Sequence, residues 1–168
     1  MGYTKTTADP NTIDFSYLTD TLFDIVSMKT LYRAKNIKTE KGESLIDDYG
    51  ITQDERKLVN QFFETAANIV FRAVLKITKG VTDAISIDTT ETTGNIELTI
   101  LDKDAYNENV LSYVDSLIKD CIITKVMSQW YSNCGLNDEF AKTEGEFLDL
   151  NRKLFNGLFE LRKPTITA

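Results

Sequence analysis

Only two prolines occur in the 168 residues, Pro10 and Pro164, one near each end. Proline lacks a backbone donor and clashes with the preceding helical turn, so the long stretch between them is free of the strongest helix breaker. Such a chain is predicted to be mainly helical. Its length, with 42% hydrophobic and 27% charged residues, fits one core and a single domain over 1–168.

After a polar arm at 1–12, Phe15, Leu18, Leu22, Ile25, Met28 and Tyr32 recur every three or four residues, which predicts a one-faced helix over about 13–35. Residues 36–51 are polar, with Gly42 and Gly50, and read as an exposed loop. Thr52-Gln53-Asp54-Glu55 is a capping box. It opens a second helix whose apolar positions Val59, Phe62, Ala66, Val70, Val74 and Ile77 run towards a stop at Gly80. The period then changes to two. Ile85 and Ile87 alternate with Ser86 and Asp88, and Ile96, Leu98 and Ile100 alternate with Glu97 and Thr99, which predicts a β-hairpin over 81–102. Its polar, threonine-rich loop is expected to project into solvent or a partner. A lone hairpin is marginal in water, so it needs a helix beneath it or strands from other subunits.

Asp102 or Asp104 is a candidate cap for a third helix, with Val110, Val114, Leu117, Ile118, Cys121 and Ile122 facing inward and Gly135 ending it. Asn137 is the candidate cap of the fourth, followed by Asp138 and Glu139, and its stripe includes Phe147, Leu154, Leu158 and Leu161. The predicted fold is mainly α: a four-helix bundle with a β-hairpin inserted between helices two and three. Its parts are the arm at 1–12, helices one and two at 13–80, the hairpin at 81–102, helices three and four at 103–163 and a tail at 164–168.

The chemistry is sparse. There is no histidine, which removes the usual base near neutral pH, the Ser-His and Cys-His pairs and imidazole-ligated metals. Phosphate-loop, dinucleotide and nucleophile-elbow motifs are missing. Asp47-Asp48 and Asp102-x-Asp104 lack the spaced oxygen ligands of a calcium loop, and Glu64 and Glu144 have no sequence reason to converge as paired carboxylates. Cys121 and Cys134 match neither a zinc nor a redox spacing. Cys121, Trp130 and Tyr131 read as core, and Arg152, Lys153, Arg162 and Lys163 as cations near a helix end. No enzyme activity, metal or cofactor is expected. The polar N-terminus gives no signal peptide and no apolar run spans a membrane, so a cytosol is the expected site of synthesis.

Charge is placed unevenly. Residues 80–118 hold eight acids against one base, Lys103, while the remainder holds eighteen of each sign. Affinity for nucleic acid comes from cations that displace condensed counterions, so a conventional DNA-binding module is disfavoured. A surface that DNA slides past without sticking is compatible.

The long second helix from Thr52 to Lys79, the hairpin with Ile85-Ser86-Ile87 and Ile96-Glu97-Leu98-Thr99-Ile100, and a closing helix pair with Trp130-Tyr131, Gly135, Asp138-Glu139-Phe140-Ala141 and Leu154 together resemble the head-to-tail connector (adaptor ring) proteins of tailed bacteriophages. The segment from Val126-Met127-Ser128-Gln129-Trp130-Tyr131 through Leu161-Arg162-Lys163 is similar to connectors from phages of gut Bacteroidales, crAss-like phages included. The resemblance implies a structural virion protein of the neck, made in the host cytoplasm and assembled as a homo-oligomeric ring, commonly a dodecamer. Its partners are the portal, the next neck or tail protein and genomic DNA in transit. The hairpin residues Ile85, Ile87, Asp88, Glu91, Ile96, Glu97, Leu98 and Ile100 are then candidates to face the channel or a neighbouring subunit. The tail Pro164-Thr165-Ile166-Thr167-Ala168 is a candidate strand that docks into the portal. A stopper or tail-completion component, or a helical scaffolding or regulatory protein outside phages, are the alternatives.

Overall fold

The computed structural model describes residues 3–5, 12–37, 49–78, 83–91, 93–101 and 106–161. In chain order the elements are β1 (Tyr3–Lys5), β2 (Thr12–Leu18), α1 (Thr19–Asn36), a short 3-10 turn (Gln53–Glu55) that runs into α2 (Arg56–Thr78), β3 (Ala84–Ile87), β4 (Asn95–Leu101), α3 (Glu108–Asn133) and α4 (Asn137–Leu161). Among the described residues the architecture is mainly helical, with four long helices and the hairpin β3–β4 between the second and third. The predicted boundary at Gly80, the Asp47-Asp48 and Asp102-x-Asp104 pairs, most of the 36–51 loop, Arg162, Lys163 and the tail Pro164–Ala168 lie outside the described residues.

Two sequence expectations are corrected at the N-terminal end. Residues 13–18, predicted to begin helix one, form with Thr12 a strand, and part of the arm pairs with it as β1. Ile13, Phe15 and Tyr17 alternate with Asp14 and Ser16, and the alternation is what folds: the first three are buried, whereas Leu18 is 56% exposed. The hairpin is consequently not alone. The sheet order is β1-β2-β4-β3, all antiparallel, with Phe15 opposite Leu98 and Tyr17 opposite Ile96. The hairpin has the helix beneath it that was one of the two expected supports, and the added strands come from the same chain and not from another subunit.

One sheet face is apolar and packs on the helices, where Ile13, Phe15, Ile96, Leu98 and Ile100 are each fully buried. Facing them, α2 buries Phe63, Ala66, Ala67, Val70, Phe71 and Val74, the stripe its periodicity predicts. The capping box is present in full, with Glu55 Oε2 accepting from the Thr52 N–H at 2.7 Å. Gly135, at φ +73, ends α3 in a Schellman motif, in which Leu136 N donates to Tyr131 O at 2.9 Å and Gly135 N to Ser132 O at 3.1 Å. The cap of α3 is Asn107, whose side chain accepts from Asn109 N at 3.1 Å, and not one of the aspartates expected there.

Helix α1 departs most from expectation. It turns Leu22, Phe23, Val26, Thr30 and Ala34 into the core and leaves Met28 65% and Tyr32 71% exposed. Both the buried and the exposed sets repeat at helical spacing, so periodicity alone does not choose between them. Trp130 and Tyr131 are core as predicted, and the Trp130 Nε1–H donates to Tyr49 O at 2.8 Å.

Candidate functional site

Alternation places Asp14 and Ser16 of β2, Ser86 of β3 and Asn95, Glu97 and Thr99 of β4 on the sheet face opposite the core. Strands β2, β3 and β4 carry no lysine or arginine. The face is knitted by side chains across the strands. Asn95 Nδ2 donates to Ser16 Oγ at 2.8 Å and also to Glu97 Oε1, and Thr99 Oγ1 donates to Asp14 Oδ1 at 2.7 Å. It is a rigid, polar and acidic surface, fixed by cross-strand pairs.

The acidic character continues into the hairpin loop. Asp88 is exposed, and hydrogen bonds from the Thr90 hydroxyl and the Thr90 N–H hold its carboxyl below the ordinary aspartate range, so it stays negative. Glu91 is exposed beside it. At the tip Thr90, Glu91 and Thr93 are exposed, while the base of the loop is anchored to the helices. Asn60 Nδ2 of α2 donates to Thr89 O at 2.7 Å, Thr89 Oγ1 donates to Glu64 Oε1 at 2.9 Å, and the first amide of α1, Thr19 N, donates to Gly94 O at 2.9 Å.

Gly94 is required at the turn because a Cβ there meets Thr90 O at 2.5 Å and Asp88 O at 2.6 Å, both backbone atoms. Gly94→Ala is expected to lower stability by about 2–3 kcal/mol. Urea denaturation checks this, and a loss below half a kcal/mol contradicts the packing described.

The eight hairpin candidates therefore separate. Asp88, Glu91 and Glu97 lie on the acidic surface. Ile96, Leu98 and Ile100 are fully buried in the core and offer no surface to a channel, and Ile85 and Ile87, opposite Leu98 and Ile96, are half-buried against the core. Asp14 and Ser16 complete the surface and were missed because the helix prediction hid the alternation at 13–17.

The remaining polar side chains of interest serve the packing. Tyr17 Oη donates to Asp115 Oδ1 at 2.7 Å; burial pushes the phenol well above its ordinary range, so it keeps its proton, and burial also raises Asp115. Burial pushes the Cys121 thiol up to about 12, which keeps it protonated. Glu64 and Glu144 have separate partners and form no carboxylate pair. Among the described residues no three Cys, Asp or Glu side chains converge as a metal site would need.

Glu144 accepts from Lys125 Nζ at 2.7 and 2.9 Å and from Ser128 Oγ at 2.5 Å, joining α4 to α3. Burial acts to raise its carboxyl, and the hydrogen bonds from Lys125 and Ser128 together with the ammonium charge of Lys125 outweigh it, so the group titrates below the ordinary glutamate range. A depressed carboxyl contributes stability above its unfolded pKa and loses it as pH falls through the folded value. Glu144→Gln is expected to cost about 1–2 kcal/mol at neutral pH. The difference from wild type should shrink below about pH 4, and denaturation curves at the two pH values check it.

Among the described residues no helix is long and apolar enough to cross a membrane. No protein-family model, no curated protein and no solved structure matches the chain.

Proposed function

We propose that this chain is a structural virion protein of a tailed-phage neck, whose copies form a ring between portal and tail through which the genome passes. The observation that carries the reading is the outer sheet face: acids and hydroxyls on β2, β3 and β4, held by cross-strand hydrogen bonds, with no base on those strands. Such a face gives duplex DNA no counterion-releasing contacts, so the duplex moves past it without a binding well. The helix, helix, hairpin, helix, helix order that resembles connector proteins supports the same reading.

The chain acts by assembly and carries out no bond-making chemistry. Three ionisable groups support this: the partly buried Glu144 is engaged by Lys125 and Ser128, the partly buried Asp115 by Tyr17, and Cys121 is protonated and buried.

Negative-stain microscopy of the purified protein, alone and mixed with portal protein, tests the proposal. Closed rings with a central opening are the expected result. A monomer or dimer in light scattering that portal leaves unchanged would fit a scaffolding or regulatory bundle and overturn the neck assignment.

A further inference from the structure

Strand β3 is an outer strand of the sheet, and its ladder to β4 fixes which way each of its backbone groups points. Asp88 N donates to Asn95 O at 3.0 Å, in the register that pairs Ile87 with Ile96. Hydrogen-bonded and non-bonded pairs alternate along an antiparallel ladder. Ala84 and Ser86 therefore turn their N–H and C=O groups towards β4, and Ile85 and Ile87 turn theirs away from the sheet. Among the described residues no hydrogen-bond partner meets those outward groups.

The side chains at this edge are incompletely covered as well. Ile96 and Leu98 of β4 have a strand on each side and are fully buried. Ile85 and Ile87, on the same face, have a strand on one side only and are half-buried. Open edges are usually blunted by a lysine, a proline, a bulge or an inward charge. Ala84-Ile85-Ser86-Ile87 carries no charge and no proline, and its register with β4 runs without a bulge.

Charge specifies the other face of an added strand. In an antiparallel neighbour, the residues opposite Ser86 and Asp88 stand on the acidic face, with Cβ atoms about 5 Å from theirs. Asp88 is exposed; Thr90 occupies its Oδ1, and Oδ2 has no partner among the described residues. Glu97 lies beside Ser86 on β4, and β2, β3 and β4 supply no base. A lysine or arginine at those two positions meets an acid, whereas a carboxylate meets repulsion. A second copy's β3 brings no charge to either position and leaves the acids unanswered.

We propose that the open edge of β3 receives an extended segment of a partner protein in which apolar residues alternate with lysine or arginine. The apolar residues exchange backbone hydrogen bonds with Ile85 and Ile87 and cover their side chains, and the basic residues stand opposite Ser86 and Asp88. In strand addition of this kind the main chain supplies affinity and alternate side chains supply selectivity. The proposal goes beyond the neck reading and does not depend on ring formation.

The probe is the fluorescein-labelled peptide Lys-Ile-Lys-Val-Lys-Ile, titrated with the full-length protein and followed by anisotropy. Saturable binding is expected, and hydrogen exchange at the Ile85 and Ile87 amides should slow by about tenfold or more while Ser86, already bonded to β4, changes little. Glu-Ile-Glu-Val-Glu-Ile, which lacks the charge match, should bind about tenfold more weakly or worse. The lysine peptide N-methylated at its isoleucines and valine keeps its charge, loses the hydrogen bonds and should weaken by a similar factor. Ile85→Pro deletes an outward donor and no ladder bond, a change an edge strand tolerates, and Ser86→Lys sets like charges together. Both variants should weaken the lysine peptide, and circular dichroism and thermal melting confirm that each folds. No binding of the probe, an N-methylated peptide that binds like its parent, or unchanged exchange at Ile85 and Ile87 overturns strand addition. An acidic peptide that binds equally well overturns the basic partner. Ile85 and Ile87 amides that gain protection as the protein alone is concentrated put a second copy on the edge and overturn the partner strand. Ring formation is read separately by microscopy, so either reading can fail without the other.

Discussion

Replacing Phe15 by alanine is expected to remove about 3–5 kcal/mol of stability, a large part of what a domain of this size has. Phe15 is fully buried in the middle of β2, opposite Tyr3 of β1 on one side and Leu98 of β4 on the other. Its ring fills space between the sheet and the helices, so truncation removes transfer energy and leaves a cavity that two flanking strands hold open. Leu18→Ala on the same strand is the control. Leu18 is more than half exposed, and its loss should change folding stability by no more than about 0.5 kcal/mol. Urea denaturation with an unchanged slope measures both. Equal losses at the two sites contradict the strand, because a helix over 13–35 places Phe15 and Leu18 on the same buried face.

That pair of positions also shows where sequence reading stops. The spacing of Phe15, Leu18 and Leu22 satisfies a helix, while Ile13, Phe15 and Tyr17 satisfy a strand, and both patterns are complete. What decides is β4, whose apolar face needs a partner and which lies far along the chain. Long-range pairing has no signature inside a short window. Helices α2, α3 and α4 have no such competitor: the capping box at Thr52 and the glycine at Gly135 mark their limits, and the buried stripes match the periodic positions. On α1 the two stripes are equally regular, and only tertiary packing selects Leu22, Phe23 and Val26 over Met28 and Tyr32.

The acidic surface was half legible for the same reason. Asp88, Glu91 and Glu97 stand in a segment whose period of two and charge excess are both plain. Asp14 and Ser16 join them only through register, which pairs Asp14 with Thr99 and Ser16 with Glu97. The attachment of the hairpin loop to α2 was invisible, since Asn60 recognises the backbone carbonyl of Thr89 and a carbonyl has no residue type.

Reversing the charge of that surface is expected to have the largest effect on the proposed function. Ser86→Lys, Glu91→Lys and Glu97→Lys together place three cations on a face that has none on β2, β3 or β4 and bury no charge, because Ser86 and Glu91 are exposed and Glu97 is partly so. Wild type should retain no duplex DNA and show no salt dependence. If each lysine meets one phosphate, the variant should bind with a log–log salt slope of about −3 per subunit, a loss of roughly fortyfold between 50 and 200 mM salt. In a ring the cations repeat in every copy, so retention rises steeply with assembly. Wild type that itself holds duplex with a measurable slope removes the non-stick account. If the proposed neck ring is right, phage particles carrying the variant report where the face points. On the channel wall, the new cations grip the moving duplex and genome release slows; on the periphery, DNA binds the outside of the ring and release keeps its wild-type rate. Binding measures what the surface is, and release measures whether the genome passes it.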